Sequence, residues 1–167
     1  MVTLREGILE ITLPVGTKGS KFDDCNHGLS HCMKAVDFIV EEKNRIIFIE
    51  IKNPEHPSAT IEAKETFFEE LCSGKVNDIL VQKYRDSFIY LWAEEKLTKP
   101  VVYWVLIASK NIDPAMLLHK TEELKRKIPL EGPKSGAWKR QIVVGCAMFN
   151  HETWKQHLPK FPVRSVE

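Results

Sequence analysis

An α/β fold with a mixed central β-sheet flanked by helices is what this sequence predicts, and three observations carry the prediction. Two apolar runs rich in Val, Ile and Phe, residues 36–40 and 46–51, are separated by a short charged stretch, as in a hairpin of strands. Residues 76–97 repeat apolar side chains at three- and four-residue spacing, as a helix with one buried face does. Residues 101–108, VVYWVLIA, are apolar on both faces, which suits an interior strand. Strands that alternate with helices after residue 54 need crossover connections, so the sheet is mixed.

In chain order, residues 6–13 alternate loosely through Ile8, Leu9, Ile11 and Leu13 and stop at Pro14, which predicts one strand. Residues 15–21 (VGTKGSK) read as a solvated turn, with a basic loop touching a phosphate backbone as the functional alternative. Residues 22–34 read as a loop or short helix. Cys25, His27, His31 and Cys32 raise a zinc alternative there, which Gly28 and the absence of paired knuckles weaken. The two strands at 36–40 and 46–51 follow, joined by Glu41, Glu42, Lys43 and Asn44. The prolines of residues 53–57 force the chain out of the sheet. Ser58 or Thr60 caps a helix that runs to Gly74, and the longer helix of residues 76–97 comes next. Pro100 opens the strand of residues 101–108, and Asp113-Pro114 caps a helix through Ile128. Residues 131–140 (EGPKSGAWKR) form a loop whose cations and Trp138 suit either plain surface or contact with a nucleic-acid strand. A strand at 141–149 and a short helix at 151–157 complete the reading.

Charge sits in the apolar runs at three positions: Asp37, Glu50 and Lys52. Residues two apart on a strand share a face, so Glu50 and Lys52 point the same way. A carboxylate and an ammonium at the end of a buried strand are costly unless they pair or hold an ion. The bland reading is a solvated strand end with Asp37 paired to Lys52. The functional reading is a site at the C-terminal end of an interior strand, where sites in open sheets lie. On the long helix, Lys83 and Ser87 break the polar–apolar division. At about 100° per residue Lys83 falls on the inward arc, whereas Gln82 needs a rotated helix. A snorkelling lysine is the plain alternative for Lys83.

Asp37, twelve residues, Glu50, one residue, Lys52 resembles the PD-(D/E)xK nuclease superfamily, with Val36 in place of the Pro of that motif. The resemblance covers about twenty residues directly. It implies a restriction-endonuclease-like fold over residues 1–167 and a metal-dependent hydrolase of phosphodiester bonds, with DNA ahead of RNA as substrate. It implies Asp37 and Glu50, with the Ile51 carbonyl, as ligands of Mg²⁺ or Mn²⁺. It implies Lys52 as the residue that orients or activates the attacking water. Gln82-Lys83 resembles the family's helical contribution to the site. An additional upstream acid is also implied, with Glu10, Asp23, Asp24 and His27 as candidates for a ligand or phosphate contact.

Composition is ordinary for a folded chain: 43% hydrophobic, 28% charged, net charge +1. A local basic patch remains compatible with that balance. Four cysteines without a CxxC pair, and an N-terminus without an apolar signal core, predict a reducing cytoplasmic setting. No apolar run approaches the length of about 20 residues that spans a bilayer. The competing class is a catalytically inactive module of the same fold that binds nucleic acid or a protein partner. Homodimer and subunit of a larger complex are both open. No Gly-rich phosphate loop, nucleophile elbow or Rossmann fingerprint is present, which argues against the commonest metabolic enzymes.

Overall fold

A computed structural model of the chain describes residues 2–24 and 26–166. The chain opens with a hairpin of β1 (Thr3–Glu6) and β2 (Leu9–Thr12), turning through Gly7 at φ 56°. The expected single strand of residues 6–13 is therefore two strands, because Gly7 supplies a left-handed turn in its midst. Next comes β3 (Lys18–Lys21), where a turn or basic loop was expected. It is mostly exposed and edges the sheet, so its sequence lacks the apolar alternation that marks a strand.

β4 (Phe38–Glu41) and β5 (Ile46–Lys52) follow as an antiparallel pair. Two helices leave β5: α1 (Ile61–Ser73), capped by the Thr60 hydroxyl, and α2 (Lys75–Ala93). Gly74 at φ 90° joins them. β6 (Val101–Ile107) returns parallel to β5, then α3 (Pro114–Lys127) starts on the Asp113 cap. β7 (Gly145–Phe149) pairs parallel with β6. It starts four residues later than expected, since residues 141–144 lie in irregular backbone that carries the 131–140 loop back to the sheet. A capping box at Asn150 begins α4 (His151–His157), and β8 (Val163–Ser165) ends the chain as a strand that the proline-rich tail did not suggest.

The central sheet has the order β3-β4-β5-β6-β7, antiparallel at the first two pairings and parallel at the last two. A second sheet, β1-β2-β8, is antiparallel throughout. The expected three-stranded antiparallel start is thus β3-β4-β5, and the N-terminal segment belongs to the other sheet. Strand alternation sorts β5 onto two cores. Ile46 and Phe48 pack toward the helices with Leu80, Tyr84 and Leu124, while Ile47, Ile49 and Ile51 face the small sheet with Leu9, Ile11 and Trp154. The layers are helices, central sheet, then the small sheet with α4. Among the described residues no helix is long and apolar enough to cross a membrane.

Candidate active site

β5 is the middle strand of five, so its last charged residues have nowhere to go but inward. Glu50 is 0% exposed and Asp37 5%. Asp37 precedes β4 by one residue instead of lying within the strand, as its apolar flanks had suggested. Phe38 pairs with Ile49, so this antiparallel register sets Asp37 level with Glu50. Two hydrogen bonds lock the pair: the Asp37 amide donates to Glu50 Oε2 at 3.2 Å, and the Ile51 amide donates to Asp37 Oδ2 at 2.6 Å.

The remaining oxygens meet two ammonium groups. Lys52 Nζ lies 2.7 Å from Glu50 Oε1, along the shared face of β5. Lys83 Nζ, from α2, lies 2.7 Å from Glu50 Oε1, 3.6 Å from Asp37 Oδ1 and 3.7 Å from Asp23 Oδ2. Both ammonium groups thus converge on one buried oxygen, Glu50 Oε1. Lys52 therefore pairs with Glu50 and not with Asp37.

The electrostatics follow from burial. Desolvation, then the neighbouring Glu50 carboxylate, push the Asp37 carboxyl up to about 7, against the pull of Lys83 and the Ile51 amide. For Lys83, burial is the largest single influence and favours the neutral amine. Glu50 and Asp37 outweigh it and hold the ammonium above its usual range. Beneath the site, burial keeps the Tyr103 phenol neutral, with its hydroxyl donating to the Leu80 carbonyl at 3.2 Å.

Helix phase places Lys83 inward, and the adjacent Gln82 is exposed beside Asp78 and Arg85. One residue is a turn of about 100°, so the two cannot share the site in a regular helix, and Gln82 drops out. Of the upstream acids, Asp23 reaches Lys83. Glu10 pairs with Arg164 on the second sheet, and Asp24 accepts from the Asn26 amide. The Lys52 carbonyl accepts from the Ala108 amide on the β6 side, so the Ile51 carbonyl, one step back along the strand, faces β4 and Asp37. The zinc alternative includes Cys25, which lies outside the described residues. His27 packs against Phe22 and Tyr90. Among the described residues no three His, Cys, Asp or Glu side chains gather at metal-binding spacing.

Two residues that position the site carry little signal in the sequence. Ser87 Oγ accepts from the Val36 amide at 3.0 Å, and Asp86 Oδ2 accepts from the Lys34 amide at 2.9 Å. Both come from α2 and together fix the segment that delivers Asp37. Ser87 stands out in sequence only as a polar residue on an apolar face.

Comparison with protein-family models, with curated proteins and with solved structures found no match for this chain.

Proposed function

We propose that this protein is a metal-dependent nuclease of the PD-(D/E)xK type, with a restriction-endonuclease-like fold and DNA as its first candidate substrate. One observation carries the reading: two buried carboxylates and two lysines from three separate segments of the chain, the lead-in to β4, β5 and α2, converge at the exit of the central strand. Such a cluster is costly to the fold, and perturbed, desolvated charge is characteristic of catalytic sites.

The donor set suits a hard cation. Glu50 Oε1 is a buried carboxylate oxygen whose neighbours are the two ammonium groups, and Asp37 Oδ1 faces one of the same lysines. Mg²⁺ asks for only one or two carboxylates and keeps several waters, so a third acidic side chain is not required. Asp37 and Glu50 would hold it, with the Ile51 carbonyl on the same side. A bound Mg²⁺ or Mn²⁺ supplies an acidified water and neutralises charge at the phosphate. Lys52, the more exposed lysine at 26% against 12% for Lys83, faces the incoming phosphate and orients the water or balances charge on the phosphoryl oxygens. Lys83, kept protonated by its neighbours, holds the two carboxylates in register.

A second reading is favoured by one observation: two ammonium groups already balance the two carboxylates. This suits an inactive module of the same fold that binds nucleic acid or a protein partner. The test is cleavage of plasmid, linear duplex, single-stranded DNA and RNA with Mg²⁺, Mn²⁺ or EDTA. We expect metal-dependent cleavage that Asp37→Ala and Lys52→Ala each abolish while both variants stay folded by circular dichroism. Wild-type activity in either variant overturns the site. No cleavage, with no thermal stabilisation by Mn²⁺, overturns the nuclease reading and leaves the inactive module.

A further inference from the structure

We infer that the 131–140 loop builds a second site, which takes a nucleobase and its phosphate from a single-stranded nucleic acid. The inference deepens the nuclease reading by naming the substrate as single-stranded, and it rests on that reading only for the link to cleavage.

The site is a cavity of about 470 Å³ between residues 97–100, which lead into β6, and residues 132–144, which lead into β7. Its walls hold Trp138, Lys99, Lys139 and Arg140, and no acidic residue. The indole is 41% exposed yet held in place. It lies on Gly132, where a Cβ would come within 2.8 Å of the ring. The loop is tied down at its exit: the Gln141 side-chain amide donates to the Leu130 carbonyl at 2.8 Å, and the Val144 amide donates to the Val101 carbonyl at 2.8 Å.

The charges are available. Lys99 is engaged by Glu41, but Lys139 and Arg140 form no ion pair among the described residues. Among the described residues the only hydrogen bond of the Arg140 side chain is a long one, 3.5 Å, to the Leu97 carbonyl on the opposite wall. A fixed, exposed indole beside two uncommitted cations matches a stacked base and its phosphate. Bases in a duplex are stacked on one another and withheld from a concave pocket, whereas a single strand offers its bases freely.

The pocket also adjoins a cleft that extends toward the Asp37 segment. Thr98 lines both the pocket and this larger cleft of about 750 Å³, which runs past Tyr90 to Lys21 and Phe22. Four acids line that cleft: Glu41 and Glu94 are paired with Lys99 and Lys96, Asp24 accepts from the Asn26 amide, and Glu95 stands among the lining residues with Lys18 and Lys21. At its far end lies Phe22, whose amide donates to the Asp37 carbonyl at 2.8 Å, so the cleft ends beside the backbone that carries Asp37. Val101 and Ile107 bound β6, so the two ends lie roughly 20 Å apart at about 3.3 Å per residue. A stacked strand at about 3.4 Å per nucleotide covers that distance in roughly six nucleotides.

The experiment is fluorescence anisotropy of end-labelled oligothymidylate of twelve nucleotides, in EDTA, so that binding is read without cleavage. We expect Trp138→Ala to weaken binding roughly tenfold, the scale of one lost base–aromatic stack. We expect Lys139→Gln/Arg140→Gln to flatten the salt dependence of binding. Trp138 is an exposed loop residue, and unchanged melting temperatures confirm that both variants are folded. Wild-type affinity in both variants overturns the site, as does tighter binding of a duplex of the same length. Displacement of the oligonucleotide by equimolar thymidine monophosphate overturns the strand assignment in favour of a mononucleotide pocket. Binding that depends on Trp138 while no metal-dependent cleavage is found retains this site and removes the nuclease reading. Cleavage that depends on Lys52 while Trp138→Ala binds normally does the reverse.

Discussion

At Asp37 the fold works against itself. Its carboxyl sits under β4 and β5 with Glu50 for a neighbour, and is pushed from an ordinary 3.8 up to about 7. The native state then holds a proton that the unfolded chain has already released. Stability therefore falls as pH rises from about 4 to about 7 and is level above that. At about 1.4 kcal/mol per unit the penalty is of order 4 kcal/mol at most. Asp37→Asn keeps an oxygen for the Ile51 amide and removes the charge. In EDTA its melting temperature should exceed that of the wild type by up to roughly 10 °C at pH 8, the gain shrinking to near zero at pH 4. An equal or lower melting temperature at pH 8 would show that Lys83 and Lys52 fully compensate the buried pair. A gain in stability joined to a loss of cleavage is the trade expected where a strained charge is kept for use.

At the scale of elements, α2 is the part that assembles the site. It contributes Lys83 to the carboxylates, and Asp86 and Ser87 to the backbone that carries Asp37. Ser87→Ala leaves the buried Val36 amide without an acceptor, which costs about 1–3 kcal/mol. Because that amide lies next to Asp37, metal-dependent cleavage should fall more than tenfold as the melting temperature drops. Gly74→Ala provides the contrast. Its φ of 90° is one that an L side chain rarely adopts, so stability should fall by about 1 kcal/mol. Gly74 lies at the start of α2, far along the helix from Ser87, and cleavage at permissive temperature should be unchanged. Equal cleavage losses in the two variants would mean that Ser87 acts through stability alone.

For the whole molecule, the second core decides how firmly the sheet is backed. Trp154 is 1% exposed, donates its indole N–H to the Phe161 carbonyl at 2.7 Å, and meets Trp104 and Phe149 edge to face. It joins α4 and the C-terminal strand to the face of the sheet opposite the helices. Trp154→Ala should cost about 3–5 kcal/mol, a melting shift of roughly 10 °C. The carboxylates face the other way, so thermal stabilisation by Mn²⁺, measured from the lowered baseline, should persist. Its loss would show that the two cores are coupled through β5.

β4, β5, α1, α2, β6 and α3 are legible in the amino-acid sequence, because each carries enough apolar periodicity or capping to declare itself within its own residues. The sequence also determined that Glu50 and Lys52 share a face, which follows from strand alternation alone, and that Lys83 turns inward, which follows from helix phase. It did not reveal β3 or β8. Edge strands owe their existence to a partner, and Lys18–Lys21 and Val163–Ser165 have no buried face of their own to advertise it. Tertiary structure alone decided that Asp23 and not Glu10 lies beside Lys83, that Ser87 holds the entry to β4, and that Lys52 pairs with Glu50. These are contacts between segments far apart in the chain, set by register and by the packing of α2 on the sheet, and no local pattern encodes them.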